Sequence, residues 1–95
     1  MLLMNTYDKI AANIIKEQEL IIGPIAWEQA QKVTGLMVNI SAHQIEIKGS
    51  PKDVLEKLVA QYEELFGPAS REVCRDAVRP LLSQVPDEEI PAILK

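Results

Sequence analysis

The chain has 95 residues, 47% of them apolar, 25% charged and 4% aromatic, with a formal net charge of −4 and one cysteine. That length accommodates one domain around one small aliphatic core, and the apolar share is too high for a chain disordered throughout. The acidic balance argues against a nucleic-acid-binding surface, which relies on cations that displace counterions from phosphates. A lone Cys74 excludes an internal disulfide and fits a reducing compartment. Met1–Thr6 carries no basic leader pattern, and no apolar run approaches the roughly 20 residues that cross a bilayer, so the expected location is the cytoplasm, without membrane insertion.

The first predicted helix opens near Asn5, a candidate N-cap. Ile10, Ala11, Ile14, Ile15, Ile21 and Ile22 recur at helical spacing on one arc, with Gln18 as the polar exception. Gly23-Pro24 then reads as a corner. Glycine closes a helix in the left-handed conformation, and proline suits the first turn of the next. A second helix is expected from Pro24 to about Thr34.

Leu36, Val38 and Ile40 alternate with Met37 and Asn39, and Ile45 and Ile47 alternate with Glu46 and Lys48. Between Gly35 and Gly49 this pattern predicts a β-hairpin that turns at Ser41-Ala42-His43. Two strands alone are marginal in water, so the hairpin must lie on the helices or pair with another edge; a homodimer with a four-stranded sheet is one solution.

Ser50-Pro51, followed by Asp53, is a strong helix start. Val54, Leu55, Leu58, Val59, Tyr62, Leu65 and Phe66 fill the same arc as in the first helix, and Gly67-Pro68 forms a second corner. A fourth helix runs from Pro68 to about Arg79, where Pro80 stops or kinks it and Leu81-Leu82 add a turn. Ile90, Ile93 and Leu94 read as a final packed turn or, alternatively, as a docking segment.

Glu19 to Glu28 overlays Glu63 to Glu72 without a gap, matching Glu, Gly, Pro and Glu. The predicted fold is therefore α+β, mostly α: two helix–Gly-Pro–helix units, an internal repeat, flank a short hairpin. The single domain, 1–95, divides into unit one at about 5–34, the hairpin at about 36–48, unit two at about 50–83 and a tail at 84–95. The stretch from Gln61 to about Leu94, with Phe66-Gly67-Pro68-Ala69 between two helices, resembles helical modules appended to bacterial signalling proteins, and no function is carried over from it.

No phosphate loop, nucleophile elbow or zinc spacing occurs, so no catalytic residue, cofactor or metal site is assigned. His43, the only histidine, reads as a solvated turn residue, and Cys74 as a small buried hydrophobe. Glu19 and Glu63 sit near helix C-termini, where the dipole disfavours them. They either pair with a cation or converge on a metal, and the histidines that usually complete such helical carboxylate sites are missing. Arg71, Arg75 and Arg79 step by four and form one stripe, either a solvated face or a surface for phosphates or an acidic partner. Trp27 lies off the apolar arc, and its counterpart in unit two is Arg71. Either the hairpin covers it or it anchors a partner. The expected function is a non-catalytic, self-associating interaction or regulatory module, with Trp27, Arg71, Arg75 and Arg79 as interface candidates. The alternative is a sensor that binds a small molecule or anion between the two units.

Overall fold

The computed structural model describes residues 5–95; Met1–Met4, and with them most of the opening segment read as lacking a leader, lie outside the described residues. The first helix, α1 (Thr6–Ile22), begins where Asn5 Oδ1 accepts the Asp8 N–H at 2.8 Å. The third, α3 (Pro51–Phe66), begins the same way, with Ser50 Oγ accepting from Asp53 N at 3.4 Å and Pro51 in the first turn. Both satisfy a backbone donor that the helix itself leaves orphaned.

Both helices end in the same corner. Gly23 (φ +79°) and Gly67 (φ +89°) donate to the Glu19 and Glu63 carbonyls at 2.9 and 2.8 Å. Pro24 and Pro68 then take right-handed helical values and lead into α2 (Ile25–Ala30) and α4 (Ala69–Val78). A Cβ on either glycine would meet nothing within 4 Å, so backbone conformation alone calls for glycine there.

Beyond the corner the two units diverge. The expected helix to Thr34 stops at Ala30. Lys32 and Val33 donate three residues back, to Gln29 and Ala30, and tighten the chain into a turn. The β-branched Val33 and Thr34 followed by Gly35 favour helix poorly, and leaving it buries Val33 against the core. The α4 helix instead passes into a 3-10 segment, Arg79–Gln84, around Pro80.

The hairpin forms as expected. Strand β1 (Leu36–Asn39) pairs antiparallel with β2 (Gln44–Ile47), with Leu36 opposite Ile47 and Val38 opposite Ile45. Leu36 and Ile45 are buried, and Met37 and Glu46 face out. At the tip Asn39 Oδ1 accepts from Ala42 N, and His43 adopts φ +52°. The sheet rests on α1, where Asp8 Oδ1 accepts the Ile47 N–H at 3.0 Å.

The core is aliphatic around Ile10, Ile14, Ile15, Leu55, Leu58, Val59 and Val78, and Trp27 and Tyr62 lie fully inside it. The helices α1 and α4 run antiparallel, Gln18 meeting Ser70 and Asn13 meeting Ala77. Tyr62 Oη donates to the Ala26 carbonyl at 2.6 Å, and Gln61 bonds Gln29, so α3 is tied to α2. The tail packs through Ile90, Pro91 and Leu94. It closes over Tyr7, Ile10 and Leu55 so tightly that the space between admits no water.

The apolar arcs are shorter than the periodicity predicts. Ile21 is exposed, as are Leu65 and Phe66, while the supposed exception, Gln18, is 1% exposed. The last turns are covered only in part, Ile22 still packing against the core, and the amide of Gln18 is matched by partners on α4.

Candidate functional site

The tertiary structure settles the open alternative for Trp27: it is covered within the chain. The indole is 1% exposed, and the His43 imidazole at the hairpin tip stacks on it, ring centroids 4.4 Å apart and planes within 9°. An offset stack of this kind contributes about 0.5–1.5 kcal/mol beyond area burial. Trp27 is therefore not an exposed partner anchor. His43 is exposed, as a turn residue should be, yet it is also the lid over the only tryptophan. Trp27 Nε1 is buried without a hydrogen-bond partner, a cost of about 1–3 kcal/mol that the surrounding packing offsets.

The arginine stripe forms, and each member is engaged. Arg71 grips Glu63 in a fork, Nε to Oε2 at 2.8 Å and Nη2 to Oε1 at 2.6 Å. That hydrogen bond holds the Glu63 carboxyl below its usual range, against desolvation and with a lesser contribution from the charge attraction of Arg71. Arg75 bonds Glu72 and donates from Nε to the Ile93 carbonyl at 3.0 Å, clamping the tail to α4. Arg79 is the most exposed, paired with Asp76 at 3.1 Å. The stripe is thus a row of ion pairs with little free positive charge.

The pairing also accounts for Glu63 at its unfavourable helix end. Glu19 has no such arginine, because Trp27 occupies the matching position. No group of three or more His, Cys, Asp or Glu side chains that could hold a metal occurs among the described residues.

Cys74 is fully buried, and Gln18 Nε2 reaches its Sγ at 3.4 Å. Burial pushes the thiol up to about 11, with the Gln18 hydrogen bond opposing and Glu63 adding to the rise. The same Gln18 amide donates to the Ser70 carbonyl at 3.1 Å. The sequence marked Gln18 as the polar exception on its arc and Cys74 as buried, but not that the two meet, and Asp8 looks like an ordinary surface position although it is buried.

A surface that the sequence reading did not single out lies at the corners. Among the described residues six large apolar side chains are exposed, and five flank the Gly-Pro corners: Leu20 (79%), Ile21 (64%), Ile25 (38%), Leu65 (50%) and Phe66 (39%). The Gln18–Ser70 and Tyr62–Ala26 bonds bring the two corners to one end of the molecule. Ile21, Leu65 and Phe66 lie on the periodic apolar arcs and read as core, so nothing in the sequence signals this surface. The sixth, Met37, is on the outer face of the hairpin beside an open groove of about 250 Å³.

No known family model, curated protein or solved structure matches the chain. No helix among the described residues is long and apolar enough to cross a membrane.

Proposed function

We propose that the chain is a non-catalytic protein-interaction module whose docking surface is the end formed by the two Gly-Pro corners. The observation that carries this reading is the concentration of exposed Leu20, Ile21, Ile25, Leu65 and Phe66 there. Scattered exposed apolar residues are ordinary, whereas a cluster at one end marks an interaction surface. Covering a fully exposed Leu, Ile or Phe side chain gives about 1.5–3 kcal/mol, so several together offset the cost of association.

The sensor alternative has less support, because Gln18, Ser70, Cys74, Tyr62 and Ala26 fill the space between the units with mutually bonded groups. Nucleic acid is not the partner we propose, since the arginines are already paired with carboxylates. The single buried thiol suits a cytoplasmic setting.

Self-association has one specific support of its own. β1 pairs only with β2 among the described residues, which leaves its other edge without a strand partner, and its Met37 is exposed on the outer face. A second copy added there would make a four-stranded sheet.

The test is the double substitution Leu20→Ser with Phe66→Ser, both outside the core. Sedimentation velocity and pull-down from host lysate are compared with wild type, with Met37→Lys as the hairpin-edge control. Loss of a wild-type complex only in the corner variant supports the docking reading. Loss only in Met37→Lys moves the interface to the sheet edge.

A further inference from the structure

The chain's charge is distributed as unevenly as its exposed apolar side chains. Segments 16–28 and 60–72, which build the corner end, hold six glutamates (17, 19, 28, 63, 64 and 72) against Lys16 and Arg71, a net of −4. The remaining residues hold eight acidic and eight basic groups, so these two segments account for the chain's net charge of −4. Arg71 is committed to Glu63 and Arg75 to Glu72, which leaves Glu17, Glu19, Glu28 and Glu64 against Lys16. An open groove of about 380 Å³ lies between α3, the second corner and the tail, with an apolar floor of Ala60, Pro68 and Ile93 and carboxylates from Glu63 and Glu64. A second copy set against this end would face like charge with like charge, which disfavours it as the occupant.

We infer that the occupant is a positively charged amphipathic helix of a partner protein. This rests on the reading of the corner end as a docking surface and names the chemistry of what docks. One face of such a helix supplies apolar side chains to Leu20, Ile21, Leu65 and Phe66. Its flanking lysines or arginines meet Glu28 and Glu64. Helix-in-groove recognition works through these two features together, apolar anchors for affinity and rim charges for orientation and rate.

The experiment uses the full chain and three fluorescently labelled peptides: a leucine–lysine amphipathic helix, its leucine–glutamate twin, and a serine–lysine peptide of equal charge without apolar residues. Anisotropy titrations are run at about 0.15 and about 1 M salt, where the Debye length falls from about 8 to about 3 Å. The expected result is binding of the leucine–lysine helix alone. Glu28→Lys with Glu64→Lys weakens it about tenfold or more, and so does the higher salt. Leu20→Ser with Phe66→Ser abolishes it while circular dichroism stays unchanged. Equal binding of the serine–lysine peptide, or undiminished binding by the Leu20/Phe66 variant, overturns the inference, because charge alone then explains the association. Binding of the leucine–glutamate helix, or of neither leucine peptide, also overturns it. If in that case wild type still forms a complex that Leu20→Ser with Phe66→Ser destroys, the docking surface survives and only the cationic helix is rejected. Absence of any such complex rejects both.

Discussion

Raising the pH should weaken this fold through one buried atom, the sulfur of Cys74. In the folded chain burial lifts the thiol from 9.0 to about 11, whereas the unfolded chain releases the proton near the ordinary value. The folded state therefore binds this proton more tightly, and stability must fall as pH rises. The contribution is fully present below about pH 9 and is lost as pH climbs towards about 11. From about pH 8 to about pH 10 the loss is about 1 kcal/mol. The Tyr62 phenol, whose pKa burial pushes well above its ordinary value, adds a loss of the same sign only at still higher pH. Urea titrations of wild type and Cys74→Ala, followed by circular dichroism, isolate the effect. The variant starts less stable by about 1 kcal/mol because of the small cavity, and the gap closes as the wild type loses its thiol advantage. Parallel curves over that interval would refute the reasoning, as would rapid reaction of native Cys74 with a thiol reagent at neutral pH.

Three further outcomes are expected. His43→Ala removes the stack over Trp27, lowers stability by about 1 kcal/mol and shifts tryptophan emission to the red; because Trp27 is the only tryptophan, unchanged emission would show that the hairpin is not its lid. Gly35→Ala places a Cβ 2.8 Å from Val54 Cγ2 and 2.9 Å from the Lys48 carbonyl, so it should cost well over 2 kcal/mol; Gly49→Ala, with equal left-handed backbone and open space, should cost about 1 kcal/mol, a contrast read from thermal melts. Tyr62→Phe deletes the bond to the Ala26 carbonyl and leaves the packing intact, for a loss of about 1 kcal/mol by urea denaturation; no loss would mean that this cross-unit bond contributes nothing net.

What the sequence determined by itself is whatever depends on neighbours along the chain. Asn5 and Ser50 cap their helices by accepting the backbone N–H three residues ahead, Gly-Pro turns the chain at two corners, and alternation between Gly35 and Gly49 writes the hairpin. These are interactions within one turn or one pleat, so local residue types suffice. The tertiary structure alone decided the fate of groups whose partners are far away. Gln18 is buried because Ser70 and Cys74, more than fifty positions later, receive its amide. Asp8 is buried because a strand amide 39 positions on needs an acceptor. Trp27 became a covered core residue because the hairpin folds back and lays His43 on it. Leu65, Phe66 and Ile21 became surface because the elements packed on the last turns of the two helices leave these side chains uncovered, while Ile22 beside them still reaches the core. A periodic arc says which side of a helix is apolar; only the arrangement of the other elements says where along that side the cover ends.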